Sequence, residues 1–310
     1  MKKTFQGFLG KRAVKQMNRI DLHIHSYYSD DGELSPAEIV RTCRQKSLHT
    51  IAITDHNSVQ GVAEAVHYGD MLGVEVIPGI EIDCTFAGVN LHLLGYGIDP
   101  RNQAFDLLEQ AIRQQEQAVL PQKLANLRAL GLPICEAEIL QQAGGRCFTG
   151  ELIAEMLLSR PENKQNKLLQ PYYDGGSRGD MPYLNFYRDF LAQGKLAHVP
   201  IEYPTLAAAL RLIKDSHGLP VLAHPGETLQ GRLDLLEAII GEGIMGIEVY
   251  SNYHSRAQID YFHQKAAEHQ LFVSGGSDFH GKNKPRIDLG SVNCASPQFF
   301  LPFLPPHSLQ

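Results

Sequence analysis

His23 and His25 stand two residues apart in the stretch Asp21-Leu22-His23-Ile24-His25-Ser26-Tyr27-Tyr28-Ser29-Asp30-Asp31-Gly32. On a β-strand, side chains at i and i+2 point to one face, so the two imidazoles project together. Asp30 follows the strand end, where a loop folds it back toward them. Neutral imidazole and carboxylate are the ligands that borderline and hard divalent cations prefer. A lone His-x-His also describes two surface histidines on an exposed strand, so the rest of the chain decides between the two.

Further candidate ligands sit in separate stretches: Ile53-Thr54-Asp55-His56-Asn57, Pro78-Gly79-Ile80-Glu81, Ala223-His224-Pro225-Gly226 and Ser277-Asp278-Phe279-His280, with His92 inside residues 90–96. Each has an ordinary explanation by itself. His92 fits a hydrogen-bonded core histidine, Glu81 a turn residue after Pro-Gly, and Asp55 a helix N-cap rather than a ligand. Their joint placement at or just past expected strand ends is what those explanations account for poorly. In parallel barrels the C-terminal strand ends form one rim, where active sites are built. Nine nitrogen and oxygen ligands exceed the needs of one ion, so two or three divalent ions sharing carboxylates are expected.

The elements that must position these residues alternate at short intervals. Strands are expected around His23 and at 50–54, 74–77, 90–96, 220–223, 246–250 and 271–274. Helices are expected from the Ser35-Pro36 cap, at 59–72, from 205 to 216, at 233–240 and at 256–268. Near-continuous apolar runs mark strands buried on both faces of an α/β fold. From 99 to 200 the pattern turns mostly helical, with a long glutamine-rich helix interrupted by Pro121 and further helices at 136–143, 150–159 and 183–193. The expected division is a core of 19–98 and 201–310, a helical insertion at 99–200, and an N-terminal extension at 1–18.

Composition narrows the function class. A chain of 310 residues with 43% hydrophobic and 20% charged residues is ordinary for a globular protein. A net charge of -6 gives no global basic field for nucleic acid. The five cysteines are scattered without a Cys-x-x-Cys pair, which points to a reducing, cytoplasmic setting rather than a disulfide framework. No apolar run reaches membrane-spanning length. Of the 14 histidines, His49, His67, His217, His263, His269 and His307 fit solvated positions. His254, past Glu248-Val249-Tyr250-Ser251-Asn252, is a candidate for proton transfer, as is Asp55.

The five motifs, in this order, resemble those of the PHP (polymerase and histidinol phosphatase) family across nearly the whole core. The resemblance implies a distorted seven-stranded β/α barrel, TIM-like, with a di- or trinuclear centre of manganese, iron or zinc that hydrolyses phosphate esters. Carried over by motif, His23, His25, Glu81 and Asp278 hold one ion. Glu81 bridges to a second ion shared with His92 and His224, and Asp30, His56 and His280 hold a third. The insertion resembles that of the nucleotide-phosphatase branch, including Phe190-x-x-x-Gly194-Lys195. That branch carries Thr-Arg-Gly-His at the start of an insertion helix, whereas this chain has Thr149-Gly150-Glu151-Leu152. Arg146, Arg178 and Lys195 are the replacement candidates for gripping phosphate.

The expected activity is hydrolysis of a small phosphorylated metabolite or nucleotide by a metal-activated hydroxide, with no stable nucleic-acid complex and no membrane association. Alternatives are a cyclic-phosphate phosphodiesterase, a 5′-3′ exonuclease on short oligonucleotides, which would need a basic strand-tracking groove, and a non-catalytic metal-binding assembly domain.

Overall fold

The computed structural model describes residues 19–143 and 148–292. The N-terminal extension and Arg146 lie outside the described residues. Seven strands pair in sequence order: β1 (Arg19–Ile24), β2 (Leu48–Ile53), β3 (Glu75–Phe86), β4 (Val89–Tyr96), β5 (Leu219–Leu222), β6 (Gly246–Ser251) and β7 (Phe272–Gly276). β1 to β3 are mutually parallel, as are β5 to β7, while β4 runs antiparallel to both neighbours. Just past β7 the chain returns to β1. The Asp278 N–H donates to the His23 carbonyl at 2.8 Å, and the His25 N–H donates to the Phe279 carbonyl at 3.0 Å. The sheet thus nearly closes into an α/β barrel. Gly276 permits the closure, because a Cβ there would stand 2.3 Å from the His23 Cβ.

The third strand is longer than the expected 74–77. Pro78-Gly79 is not a turn: β3 continues to Phe86 and folds back on β4 as a hairpin. Ala87 and Gly88 have φ of 48° and 77°, the paired positive angles of a tight hairpin turn whose twist matches the strands. The reversal matters for the site. It pairs Asp83 with His92, so a residue early in β4 reaches the same rim as residues within β3.

Helices cover the outside: α1 (Pro36–Gln45), α2 (Val62–Leu72), α3 (Gln103–Ala129), α4 (Glu136–Ala143), α5 (Gly150–Ser159), α6 (Pro182–Phe186), α7 (Leu206–Asp215), α8 (Pro225–Thr228), α9 (Leu236–Gly241) and α10 (Arg256–Glu268). α1 begins with a reciprocal capping box between Ser35 and Glu38 and buries Ile39, Val40 and Cys43. α3 runs through Pro121 rather than breaking there. A proline inside a helix costs about 3 kcal/mol, and the burial of Leu120, Leu124 and Leu127 around it offsets that cost.

Two apolar cores matter here. The barrel core includes Ile80, Leu93, Tyr96, Ile213, Ile247 and Phe262, and also Phe105 from the first turn of α3. The helical region has its own, with Leu124, Leu127, Ile139, Ile153, Leu157 and Phe186. α3 therefore packs on the barrel core at Phe105 and on the helical core from Leu120 onward.

Candidate metal centre

At one rim of the barrel, six imidazoles and four carboxylates converge. His23 Nε2 lies 3.0 Å from Glu81 Oε2, 3.1 Å from His25 Nε2 and 3.4 Å from Asp278 Oδ1. Glu81 Oε1 lies 3.1 Å from both His92 Nδ1 and His224 Nε2. His280 Nε2 is 3.0 Å from Asp31 Oδ2, and His56 Nδ1 is 3.3 Å from Asp83 Oδ1. Several groups of ligand atoms are close enough to share an ion, among them His23, His25, Glu81 and Asp278; Glu81, His92 and His224; His25, Asp31, His56 and His280; and His56, Asp83 and His92. Glu81 belongs to two of them, as a bridging carboxylate would.

The donor set fits divalent cations. His56 Nδ1, Asp83 Oδ1 and His280 Nε2 are buried and form no well-aligned hydrogen bond, although His56 Nδ1 and Asp83 Oδ1 stand 3.3 Å apart and His280 Nε2 stands 3.0 Å from Asp31 Oδ2. Buried polar atoms nearly always have partners, and ligand atoms facing one another at these distances without hydrogen-bond geometry fit a shared ion. His224 and Asp278 also hold positive φ, 23° and 59°, a strained backbone for residues with a Cβ.

Outer contacts aim the imidazoles. His23 Nδ1 donates to Glu248 Oε1 at 3.0 Å, which turns Nε2 into the cup. His25 Nδ1 meets Ser29 Oγ at 3.0 Å, and His280 Nδ1 donates to the Asp278 carbonyl at 3.0 Å. Glu248 also accepts the His224 N–H at 2.8 Å. Between β3 and the loop after β2, the Glu81 N–H donates to the Asp55 carbonyl and the Asn57 N–H to the Glu81 carbonyl. Lys284 Nζ and Tyr253 Oη each lie 2.6 Å from Asp278 Oδ2 and donate to it.

The electrostatics follow from this crowding. Burial would raise the Glu81 carboxyl, but His23, His56 and His92 outweigh it and hold it well below the usual range. Burial likewise opposes ionisation of Asp278, and Lys284, His280 and His23 override it. Burial pushes the His280 imidazole down to about 4, keeping it neutral, the form in which it can ligate.

Most expected ligands meet here: His23, His25, His56, Glu81, His92, His224, Asp278 and His280. Asp30 lines the chamber beside them, and the acid nearest His280 is its neighbour. Asp31 approaches His280, because the Ser26–Gly32 turn, with Gly32 N–H on Ser29 and Ser29 Oγ donating to Asp31 Oδ1 at 2.8 Å, points the second acid inward. Asp83, Glu248 and Lys284 were not expected. The first two carried a signal: Asp83 is two residues from Glu81 on one strand face, and Glu248 is a carboxylate within an apolar strand. Lys284 follows no pattern.

Both proton-transfer candidates already have hydrogen-bond partners. Asp55 accepts from Ser26 N–H at 2.6 Å and Ser26 Oγ–H at 2.7 Å, so it fixes the turn after β1. Its carboxyl is pushed up to about 6 by burial. His254 donates from Nδ1 to the Val249 carbonyl at 2.8 Å and accepts the Gly226 N–H at Nε2 at 3.0 Å. Both nitrogens are used in bracing the His224-Pro225-Gly226 turn.

Above the cup lies a chamber of about 470 Å³. His56, Asp83 and His92 form its floor, and Ile112, Phe148, Glu151, Leu184, Tyr187 and His198 come from the helical region. Lys195 is exposed on a turn and is not among the lining residues. Arg178 is also outside, clamped by Asp189 at 2.7 and 2.9 Å. Neither is therefore placed to grip phosphate in the chamber.

A seven-stranded barrel with such a rim defines a metal-dependent phosphoesterase of the PHP type, and the comparisons agree. The PHP domain family matches residues 21–173. A 3′,5′-nucleoside bisphosphate phosphatase of Chromobacterium violaceum is 31% identical over 91% of this chain and 94% of its own. A phosphoribosyl 1,2-cyclic phosphate 1,2-diphosphodiesterase of Eggerthella lenta is 28% identical over 84% and 94%. A 5′-3′ exoribonuclease of Haemophilus influenzae is 26% identical over 87% and 96%. A solved structure described as a metal-dependent phosphoesterase, from Bifidobacterium adolescentis, superposes with a TM-score of 0.72 at 26% identity, over 88% of this chain and 91% of that one. The chain belongs to the PHP family and is a hydrolase of phosphoester bonds that depends on divalent metal.

Proposed function

We propose that the enzyme removes phosphate from a small phosphomonoester, a nucleotide or sugar phosphate, at a centre of two or three manganese, iron or zinc ions. The ligands would be His23, His25, Glu81 and Asp278 for one ion, Glu81, His92 and His224 for a second, and His25 or His56 with Asp31 and His280 for a third. The ions, when bound, acidify water and neutralise phosphoryl charge. The protein's own groups do the rest. Glu248 and Ser29 hold His23 and His25 in their working orientation. The helical roof keeps the leaving group in place and bulk water out.

The observation that carries this reading is the pair of ligand groups joined through Glu81 on the floor of a chamber of metabolite size. The likeness to the Eggerthella lenta diphosphodiesterase supports a second reading, in which a cyclic phosphate is opened first. A panel of nucleoside mono- and bisphosphates, sugar phosphates, cyclic phosphates and short oligonucleotides, run with each metal, separates these. Turnover confined to oligonucleotides would overturn the small-substrate reading. Among the described residues no helix is long and apolar enough to cross a membrane. The free thiols Cys43, Cys84 and Cys135 support a reducing cytoplasmic setting.

A further inference from the structure

We propose that Glu151 turns the chamber against a second phosphate, so that the substrate is a phosphomonoester whose leaving group is uncharged and bears hydroxyls, as a ribose does. The inference deepens the phosphomonoesterase reading and rests on it. α5 begins at the chamber, and a helix N-terminus is a natural seat for an anion. Here the chain fills that seat itself. Thr149 Oγ1 accepts the Leu152 N–H at 3.1 Å, and the Glu151 carboxyl stands in the first turn of the same helix. Glu151 is 7% exposed and feels the charges of Asp31, Lys284 and His56 across the chamber.

No long cation can replace it from the neighbouring position. A Cβ on Gly150 would stand 2.7 Å from the Tyr187 ring and 2.9 Å from Leu191 Cδ1. The two lysines of the lining are already paired, Lys123 with Glu116 at 2.5 Å and Lys284 with Asp278 at 2.6 Å. Among the described residues, a phosphate placed beneath α5 would therefore meet a carboxylate and no unpaired lysine or arginine of the lining. A hydroxyl there would find an acceptor, with Ile112, Phe148 and Tyr187 supplying apolar walls.

The test compares two matched pairs on the full-length, manganese-loaded protein: adenosine 5′-phosphate against adenosine 3′,5′-bisphosphate, and ribose 5-phosphate against ribose 1,5-bisphosphate. At about pH 8, above the Glu151 carboxyl, which burial and the Asp31 charge push up to about 7, kcat/KM should favour the monophosphate by roughly tenfold or more in the pair that is used. Glu151→Gln and Glu151→Ala should each shrink that ratio by about fivefold or more, and calorimetric affinities should shift in parallel. A parent ratio at or below one, or variants that leave the ratio unchanged, would overturn the proposal, as would failure of all four compounds to bind. If they bind without turnover, the phosphomonoesterase reading fails while the affinity ratio still decides the role of Glu151.

Discussion

The barrel rim and the helical roof hold their polar groups in opposite ways. At the rim, carboxylates and imidazoles crowd within 3.0 to 3.6 Å of one another, and outer residues such as Glu248 and Ser29 pin them. In the roof, charged groups pair off, Arg178 with Asp189 and Lys123 with Glu116, while Arg188 reaches across to Glu227 of α8 on the barrel. The rim gathers imidazole and carboxylate ligand atoms close enough to share divalent cations. With the roof pairs formed, Glu151 is left facing the chamber. Chemistry is thus built on strands that cannot shift, and selection on a separately packed helical layer that can vary.

The sharpest way to break the contrast is to remove a rim ligand. His25→Ala should lower kcat by about a thousandfold or more while circular dichroism stays that of the parent; activity within a few-fold would contradict the account. Asp278→Ala should also lose stability, by about 3 kcal/mol or more, since it leaves Lys284 buried and unpaired.

The two adjacent acids refine the rim. Asp31→Asn should cost about a hundredfold in turnover and Asp30→Asn only a few-fold. Equal losses would mean that the turn does not choose between them.

In the roof, Leu124→Ala should lower unfolding stability by about 2 to 5 kcal/mol, because Leu124 is fully buried in the helical core. Metal content in native buffer should be unchanged. Loss of metal would show that the two layers fold as one cooperative unit.

The smallest effect is expected at His254. Burial holds its pKa below the ordinary value, so the neutral folded form contributes stability above about pH 6.5 that is lost as pH falls through the folded pKa. His254→Gln should flatten that acid limb in a series of thermal melts. It should slow turnover by less than about tenfold without moving the pH–rate profile, as befits a positioning residue. A displaced profile would restore the proton-transfer role.

Much of the rim was legible because ligand types and strand periodicity coincide in sequence. His23 and His25 share a strand face, and Asp278 and His280 flank one closing loop. What was illegible depended on geometry that spacing does not encode. The Ser26–Gly32 turn, not the local pattern, selects Asp31 over Asp30. The β3–β4 hairpin, which Pro78-Gly79 disguised as a turn, is what brings Asp83 and His92 together. Lys284 reaches Asp278 only because the chain folds back after β7. The roof was least legible: helix propensity located α4 and α5 but not which cations, such as Arg178, would already be neutralised.

Metal analysis of the purified protein, with its Glu248→Gln variant alongside, tests the shared cation centre most directly. The account predicts two or three divalent ions per chain in the parent and a loss of about 10- to 100-fold in affinity when His23 loses its carboxylate partner. Fewer than one ion per chain after metal loading, or an affinity indifferent to Glu248, would contradict it.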